Sequence, residues 1–248
     1  MDLASIRESL IRQEDTIIRS VLERAQYKIN ALTYIPKPEL EGSLLENIFR
    51  ETEKIHAKAG RYNNPDEHAF FPGSLPESFL HSAADEMQQQ CPLVLHKAAD
   101  KININPQIWD LYFDDILPKV AADGDDGNHG SAATCDIQCL QALSRRIHFG
   151  KFVAEVKFSE SPEVFEPHIR GQDVEALYKL ITFESVERNV IRRVESKAVV
   201  YGQEVGVDGP TSPQKLKIDP KLLGRLYSEW LMPLNKKVQV EYLLHRLG

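Results

Sequence analysis

The stretch Ser144–Phe158, S-R-R-I-H-F-G-K-F-V-A-E-V-K-F, places two cations on one face of a predicted helix. Arg146 and Lys157 are eleven residues apart, which is close to three helical turns and spans ~16 Å along the axis. The residues between them on that face are small or apolar: Gly150, Val153 and Ala154. Long cationic side chains that lean inward from both ends of such a gap are suited to hold one small dianion. The stretch therefore predicts both a long helix and a binding site on it.

The bulk composition excludes several classes of protein. The chain has 248 residues, 42% of them hydrophobic and 27% charged, which is typical of a soluble globular protein. Its net charge of −7 argues against nucleic acid as a partner, because binding to a phosphate backbone needs a basic surface. No apolar run approaches the ~18 residues of a membrane span. The N-terminus, M-D-L-A-S-I-R-E-S-L, has the pattern of an amphipathic helix rather than of a signal or transit peptide.

Reactive and metal-binding motifs are not evident in the sequence. Cys91, Cys135 and Cys139 form neither a C-x-x-C pattern nor a Cys/His ligand set, so we expect reduced thiols rather than a metal or redox site. His148 has no serine or cysteine nucleophile near it at a triad-like position, which favours a hydrogen-bonded helix histidine over a catalytic base. The chain also lacks a phosphate-binding G-x-x-x-x-G-K-S/T motif and a G-x-G-x-x-G motif after a strand.

The spacing of apolar residues predicts helices along the whole chain, and almost no segment alternates with period two. The predicted helices cover residues 2–29, 42–59, 76–90 (a weaker pattern), 106–121, 131–158 with Ser131 or Thr134 as N-cap, 173–201 and 221–247, the last interrupted at Pro233, which restarts the helix. Residues 60–76, 123–130 and 202–220 have the composition of loops. We predict an all-α protein of about seven to twelve helices, folded as a single large helical domain over residues 1–248.

Several polar residues fall on the predicted core-facing stripes of these helices. An unpaired polar group on such a stripe costs several kcal/mol to bury, so these positions are candidates for function. They are Arg7 on the first helix, Arg146 and Lys157 on the long central helix, Glu187 on the next, and Asn235 and Gln239 on the last. Three cations, a carboxylate and two amides together suit a small polyanion that carries a hydroxyl group.

Some of these residues also have ordinary structural explanations. Arg7 could extend past the apolar stripe into solvent. Glu187 could pair on the surface with one of three nearby arginines, Arg188, Arg192 or Arg193. Gln239 could lie on an exposed face of the last helix.

The Arg146–Lys157 pair is harder to explain structurally. Arg145 already supplies the neighbouring surface charge. Gly150 lowers the stability of the helix, and the sequence offers no structural reason for it. We interpret the missing side chain of Gly150 as making room in the gap between the two cations.

Five longer motifs resemble the eukaryotic all-helical chorismate mutases, and the plant-type members in particular. They are I-R-E-S-L-I-R-Q-E-D-T-I at 6–17, G-R-Y-N-N-P-D-E-H at 60–68, G-D-D-G-N-H-G-S at 124–131, the stretch 144–158 quoted above, and V-E-Y-L-L-H-R-L at 240–247. The resemblance covers essentially the whole chain. It implies an all-helical homodimer that converts chorismate to prephenate, in phenylalanine and tyrosine biosynthesis, by a pericyclic rearrangement without a cofactor.

The resemblance also implies a role for each polar position. Arg7 and Arg146 would hold the two substrate carboxylates, Lys157 and Gln239 would donate to the ether oxygen, Glu187 would accept from the ring hydroxyl, and Asn235 with Lys236 would line the pocket near a carboxylate. Gln239 replaces a glutamate that must be protonated in some relatives, so we expect turnover to be nearly flat from about pH 6 to 8, above the glutamate reference of ~4.3. Phe183 departs from the fungal pattern, which has an asparagine near the substrate at that position.

A second, regulatory site is implied at the dimer interface. In the family, tyrosine, phenylalanine or tryptophan bind between the loop after the second helix and the start of the long central helix. Those segments here supply Gly60, Arg61, Asn128, Gly130 and Ser131. Gly60 replaces an arginine of the fungal pattern, and Gly130 stands where unregulated plant isoforms carry proline. We expect inhibition by tyrosine or phenylalanine and activation by tryptophan, the alternative being that Gly130 merely begins a helix.

Other functional readings stay open at this point. A catalytically silent relative could bind aromatic amino acids as a sensor, although the intact set of polar residues argues against it. A helical scaffold that binds acidic partners through its cations would explain neither Gly150 nor the spread of polar residues over four helices. We expect a cytoplasmic location, the alternative being the plastid stroma if a transit peptide was removed before Met1. The insertion at 81–91 has no counterpart that we can assign.

Overall fold

Residues 3–80, 95–203, 205–206, 209–210 and 216–248 are described in a computed structural model of the chain. The insertion at 81–91, Cys91 and most of the weaker predicted helix at 76–90 lie outside these ranges. The start of that helix is wrong, because residues 76–80 are not helical.

The all-α prediction is confirmed. The described residues contain eleven α-helices, within the predicted range: α1 Leu3–Arg24, α2 Leu44–Lys58, α3 Asn105–Leu111, α4 Leu117–Val120, α5 His129–His148, α6 Gly150–Glu160, α7 Pro162–Arg170, α8 Val174–Ile181, α9 Glu184–Gly202, α10 Pro220–Arg225 and α11 Met232–Leu244. Two π-helical turns, Tyr112–Ile116 and Leu226–Leu231, join α3 to α4 and α10 to α11. Two two-residue strands, β1 Val205–Gly206 and β2 Gly209–Pro210, pair antiparallel in the loop after α9.

A buried ion pair fixes α1 against α5. The guanidinium of Arg24 donates to Asp136 with an Nε–Oδ1 distance of 2.5 Å, and both side chains are fully buried. Tyr34 and Tyr112 donate to the same carboxylate at 2.7 Å each. Arg24 also binds the carbonyls of residues 27 and 29, and Asn30 adopts a left-handed φ of 57°. Helix α1 therefore ends at Arg24, five residues before the predicted end.

The cap of α5 differs from the prediction. Asn128 is the N-cap residue, and neither Ser131 nor Thr134 has that role. The Thr134 hydroxyl instead donates back to the carbonyl of Gly130 inside the first turns. The loop prediction for 123–130 thus runs two residues into the helix, because Asn128, a favoured N-cap residue type, starts α5 before the first small residues.

The long central helix is interrupted at Phe149. This residue separates α5 from α6, with φ −60° and ψ −13°, and its N–H still donates to the carbonyl of Arg145 at 3.0 Å. The two helices therefore follow one another with only a local break. The predicted helix 173–201 likewise divides at Thr182 and Phe183 into α8 and α9, and α7 was not predicted.

Pro233 does not interrupt the last helix. The π-helical turn Leu226–Leu231 comes directly before it, and Pro233 occupies the first turn of α11. Proline is tolerated in the first turn of a helix, where its fixed φ suits the helical backbone. The helical path therefore continues from α10 through Pro233 to Leu244.

One apolar cluster contains buried residues from most of the helices. It includes Ile17 of α1, Phe49 of α2, Leu140 of α5, Val194 of α9 and Leu243 of α11. A single domain over residues 1–248 stays a prediction, which this shared cluster supports.

A buried polar network ties the loop before α3 to α5 and α6. The ammonium of Lys151 lies 2.7 Å from the carbonyls of Ala99 and Ile102 and from Nε2 of His68. The rings of His68 and His148 stack with centroids 4.0 Å apart. His148 donates to the carbonyl of Ser144 and accepts from the N–H of residue 104, so the prediction of a hydrogen-bonded helix histidine is confirmed. Burial lowers the pKa of His68 to about 2 and that of His148 to about 3.

These histidines should make the protein sensitive to acid. Both pKa values are lower in the folded chain than in the unfolded one, so the unfolded chain takes up protons first as the pH falls through ~6.5, at a cost of ~2 kcal/mol per histidine by pH 5. Urea unfolding of His148→Gln should show a correspondingly smaller loss between pH 8 and 5. His245→Gln, at an exposed position, is the control. An unchanged pH dependence in His148→Gln would contradict this account.

Candidate functional site

The polar positions predicted to carry function lie on α5 and α6 and on three further helices, α1, α9 and α11. Helices α6 and α11 run in parallel, because Asn235 contacts the junction of α5 and α6 while Glu155, in the middle of α6, accepts from Tyr242 and Arg246. Helices α1 and α5 run antiparallel, because Arg24 pairs with Asp136 near the start of α5. These directions decide which predicted residues meet.

Arg146 is a buried cation with unused donors. Its side chain is 7% exposed, and its Nε and Nη1 atoms have no hydrogen-bond partner within the described part of the protein. Burial lowers the pKa of the guanidinium, against the opposing influence of Tyr227 and Glu14. A buried charge without partners costs several kcal/mol, so its retention indicates a site for an anionic ligand.

Helix α1 brings acidic and cationic groups to the same region. Glu14 is fully buried and binds Arg193 at 2.6 Å and Lys197 at 3.2 Å. Arg7 lies two turns earlier on the same face of α1 and is exposed to solvent. Its neighbour Ile6 packs against Phe149, Phe152 and Val156. The antiparallel direction of α1 therefore places Arg7 beside the gap between Arg146 and Lys157.

Lys157 stands at the far end of the gap. Its ammonium donates to the carbonyl of Ile181 at 2.9 Å and lies 4.9 Å from the centre of the Phe183 ring. Partial burial and, less strongly, the charge of Lys236 lower the pKa of Lys157 to about 8, although Glu187 opposes the shift. The ammonium is therefore held by weak partners that a stronger acceptor can displace. Phe183, the departure noted in the sequence, contacts this lysine.

Glu187 and Lys236 form an ion pair beside Lys157. Their Oε1 and Nζ atoms are 3.1 Å apart, and the ammonium of Lys236 lies 4.8 Å from the centre of the Tyr178 ring. The hydrogen bonds to Tyr178 and Glu187 raise the pKa of Lys236 although burial opposes them. The surface pairing considered for Glu187 is wrong, since Arg188 pairs with Glu184 and Arg193 with Glu14.

Asn235 and Gln239 are buried one turn apart on α11. The Gln239 Nε2 group donates to Oδ1 of Asn235 at 2.8 Å, and the Asn235 Nδ2 group donates to the carbonyls of Arg146 and Ile147. An exposed position for Gln239 is excluded, since the side chain is only 4% exposed. Its Oε1 has no partner within the described ranges.

A close contact between two helices explains why residue 150 is glycine, and the sequence did not reveal this contact. A Cβ atom placed on it would lie 2.8 Å from the backbone oxygen of Asn235 and 2.9 Å from its Nδ2. The missing side chain therefore allows α11 to approach α6 closely. The interpretation that Gly150 makes room for a ligand is wrong, because Asn235 fills that space.

Gln13 and Tyr227 are not among the predicted site residues. The buried Oε1 of Gln13 and the buried hydroxyl of Tyr227 have no partner within the described residues, and Arg193 neutralises Glu14. Gln13 and Glu14 give a signal in the sequence, because they lie at helical spacing between the apolar residues Leu10 and Ile17 of α1. Nothing in the sequence singles out Tyr227 among the other tyrosines.

The predicted effector residues form two separate groups within one chain. Gly60 has a left-handed φ of 76°, and Arg61 binds Glu67 at 3.0 Å and Gln141 of α5 at 3.1 Å. Asn128, Gly130 and Ser131 lie at the start of α5, and a Cβ on Gly130 would meet nothing within 4 Å. Gln141 and Ser131 are ten residues apart, which is ~15 Å of helix. One chain alone therefore does not bring the two groups together.

The described parts of the chain contain neither a candidate metal site nor a helix that could span a membrane. No group of three or more His, Cys, Asp or Glu side chains among the described residues is placed to hold a metal ion. None of the described helices has the length and apolarity to cross a bilayer. Cys135 and Cys139 are free and buried.

Comparison with known proteins identifies the family. The family model described as chorismate mutase type II matches residues 128–240. Chorismate mutase 1, chloroplastic, from Petunia hybrida is 53% identical over 251 residues, which cover 99% of this chain and 76% of that protein. The chain belongs to the chorismate mutase family. The resemblance seen in the sequence motifs is thereby confirmed.

Solved structures of similar proteins agree with this fold. The crystal structure of AtCM1 with phenylalanine bound in its allosteric site is 51% identical, with a TM-score of 0.87, and the match covers 100% of this chain and 97% of that one. The crystal structure of the chorismate mutase from Candida albicans in complex with L-Trp is 38% identical, with a TM-score of 0.89, covering 99% and 92%. The similar chorismate mutases include chloroplastic and cytosolic proteins.

The contact between Lys157 and Phe183 can be tested in this family member without a substrate. Phe183→Leu keeps an apolar side chain but removes the ring face that attracts the ammonium. We expect the pKa of Lys157, about 8 in the intact site, to fall by roughly 0.5 unit, since an exposed cation–π contact is worth ~0.5–1 kcal/mol. A ¹³C NMR titration of the lysine ε-carbons measures it. Val186→Ala, at an exposed apolar position in the first turn of α9, is the control, and equal titrations in all three proteins would refute the contact.

Proposed function

We propose that this chain rearranges chorismate to prephenate in the pocket bounded by Arg146, Lys157 and Gln239. The observation that carries the proposal is the buried guanidinium of Arg146, whose Nε and Nη1 atoms are unpaired in the described part of the chain. Chorismate is a dianion with a ring hydroxyl, which fits a site with several cations and one carboxylate. Membership of the chorismate mutase family supports the assignment.

The reaction places particular demands on such a site. It is unimolecular, needs no covalent intermediate and has no obligatory proton transfer. The protein contributes by holding the folded substrate conformer and by presenting charges where the transition state becomes more polar. Rigid groups placed in advance serve both purposes, and the buried side chains of Arg146 and Gln239 meet this condition.

The substrate carboxylates bind Arg146 and Arg7 in this proposal. Arginine presents a planar fork that matches a carboxylate with two hydrogen bonds, which lysine cannot do. Arg146 provides the fixed end of the site because it is buried in α5. Arg7, exposed on α1 beside the gap, closes over the second carboxylate. Lys236 adds positive charge nearby, and Asn235 lines the pocket next to it.

The ether oxygen meets Lys157 and Gln239. Negative charge grows on this oxygen as the C–O bond breaks, so donors aimed at it act mainly in the transition state. Lys157 leaves the carbonyl of Ile181, a neutral acceptor, for the more negative ether oxygen. Glu187, partly neutralised by Lys236, accepts from the ring hydroxyl.

Truncation of Lys157 and of Arg146 should have different kinetic effects. Lys157→Ala should lower kcat ~10²–10³-fold, because its partner carries charge mainly in the transition state. Arg146→Ala should also raise KM, since it holds a carboxylate in the ground state as well. The assay is the loss of chorismate absorbance, with Lys237→Ala on the exposed face of α11 as the control. Circular dichroism and melting temperature verify folding, and full activity in Lys157→Ala would overturn the assignment.

If the intact chain does not convert chorismate, the alternative function gains support, in which the chain is a catalytically silent relative. A silent relative that binds aromatic amino acids would leave chorismate absorbance unchanged while phenylalanine, tyrosine or tryptophan raised its melting temperature. The unpaired donors of Arg146 favour the enzyme, because a sensor at another site gives no reason to keep a buried cation free of partners.

The pH profile should be flat on the acid side and fall at alkaline pH. Gln239 carries no proton to lose, so kcat/KM should stay level from about pH 6 until Lys157, with a pKa of about 8, begins to deprotonate. The level range therefore ends below pH 8, the upper limit expected from the sequence. The donor is the protonated form, so activity is lost as the pH rises through that value. Lys157→Arg should remove the alkaline fall, since arginine stays charged throughout. A fall that persists in Lys157→Arg would assign it to another group.

We also propose that the chain forms a homodimer with an effector site between its subunits. The separation of Gly60 and Arg61 from Asn128, Gly130 and Ser131 within one chain supports this, because a second copy is needed to join the two groups. Arg61 supplies a cation for the effector carboxylate once it exchanges its contact with Glu67. The open space around Gly130 leaves room for a ligand at the start of α5.

Aromatic amino acids should change the activity. Tyrosine or phenylalanine should inhibit turnover and tryptophan should activate it. A coupling free energy of ~1–3 kcal/mol between the effector site and the catalytic site changes the affinity for substrate by about 5- to 150-fold, and we expect effects of this size or smaller. Arg61→Ala should abolish these responses and keep basal activity, because the residue lies outside the proposed catalytic pocket. Light scattering measures the dimer, and indifference of the intact chain to all three amino acids would exclude the regulatory site.

The cellular location stays a prediction. The cytoplasm is proposed, with the plastid stroma as the alternative, and the relatives include proteins of both kinds. Imaging of the native protein with an antibody against this chain distinguishes the two compartments.

A further inference from the structure

Asn235 makes three hydrogen bonds inside the protein and is 8% exposed. Its Nδ2 group donates to the carbonyl of Ile147 at 2.9 Å and to that of Arg146 at 3.2 Å. These carbonyls belong to the last turn of α5. Asn235 therefore ties the start of α11 to the end of α5.

These contacts fix the orientation of two amide groups. Carbonyl oxygens only accept, so the Asn235 atom that faces them must be the nitrogen, and its Oδ1 must face Gln239. An oxygen needs a donor opposite it, so Gln239 must turn its Nε2 toward Asn235, at the observed 2.8 Å. The backbone of α5 thus determines which end of the Gln239 amide points into the pocket.

We infer that Asn235 is a positioning residue. The carbonyls of Arg146 and Ile147 fix the orientation of the Asn235 amide, and this amide in turn fixes the orientation of the Gln239 amide. The inference rests on the proposed function only in taking Gln239 to meet the substrate. One N–H of Gln239 is used by Asn235, while the second N–H and Oε1, which has no partner within the described ranges, remain for the ligand. Gln239 therefore presents a donor and an acceptor in one set orientation.

The approach of Gly150 supports this role. Its backbone presses on Asn235 so closely that a Cβ would lie 2.9 Å from the Nδ2 atom and 2.8 Å from the backbone oxygen. The space between Gly150 and Asn235 is therefore too small for a methyl group, which limits the room in which the Asn235 amide can turn. The glycine and the two carbonyls together hold the amide from two sides.

The kinetic test compares two buried asparagines. Asn105 has the same bonding pattern away from the pocket: its Nδ2 donates to the carbonyls of His68 and Ala69, and its Oδ1 accepts from Ser144. Both Asn235→Leu and Asn105→Leu lose three such bonds and should lower the melting temperature. Only Asn235→Leu should also lower kcat, by ~10- to 10²-fold, with a smaller change in KM, as expected for a misplaced donor. Asn235→Ala, which removes the amide without adding a charge or a donor, replaces it if the leucine variant does not fold.

A spectroscopic test is independent of activity. In protein with ¹⁵N-labelled glutamine, the side-chain amide of Gln239 is assigned from the signals missing in Gln239→Leu. One of its two protons should be shifted downfield and protected from exchange with water, and this signature should vanish in Asn235→Leu but not in Asn105→Leu. Added prephenate should shift the other proton.

The outcomes separate the two proposals. Equal kcat in Asn235→Leu and Asn105→Leu, or a Gln239 amide signal that Asn235→Leu leaves unchanged, overturns the positioning role. Full activity in Gln239→Leu overturns the proposed contact with the substrate instead, while the amide signal still tests the bond to Asn235.

Discussion

The position of the site depends on the buried ion pair between Arg24 and Asp136. It joins α1 to α5, the two helices that carry Arg7 and Arg146, and it sets their antiparallel alignment. Ten residues of α1 separate Arg24 from Glu14, and ten residues of α5 separate Asp136 from Arg146. Loss of one partner would leave the other charge buried and unpaired, at a cost of ~3–5 kcal/mol. A shift between these helices would change every distance across the pocket.

Two kinds of buried polar group occur in this protein. The Asp136 carboxylate accepts from Arg24, Tyr34 and Tyr112, and Lys151 donates to two carbonyls and a histidine, so both of these buried charged groups find their partners within the chain. Atoms of four side chains around the pocket are buried without partners in the described residues: Gln13, Arg146, Tyr227 and Gln239. The first kind holds the helices in place. In the proposed function, the substrate supplies the missing partners of Arg146 and Gln239.

The sequence predicts the helical content and most of the polar site because both are local or periodic. Buried polar residues on apolar stripes, such as Arg146 and Gln239, stand out from a single helix pattern. The reason for Gly150 does not, since it depends on the approach of Asn235, which lies 85 residues later in the chain. The partners of Glu187 and Glu14 were likewise set by packing between helices.

The predicted helix boundaries were wrong where tertiary contacts override local sequence signals. Arg24 ends α1 by binding carbonyls beyond it, although the apolar pattern continues. The break at Phe149 leaves no mark in a sequence that is helical on both sides. Pro233 is a strong local stop signal, but the π-helical turn before it removes the conflict.

The same π-helical turn also determines which side of α11 faces the pocket. A π turn holds one residue more than the α-helical turn it replaces, and each residue rotates the chain by ~100°. All the side chains after Leu231 are therefore turned about the axis relative to those before Leu226. The direction in which Asn235 and Gln239 point thus depends on the number of residues in the π-helical turn. A one-residue deletion within Leu226–Leu231 would rotate both amides out of the pocket without altering either residue.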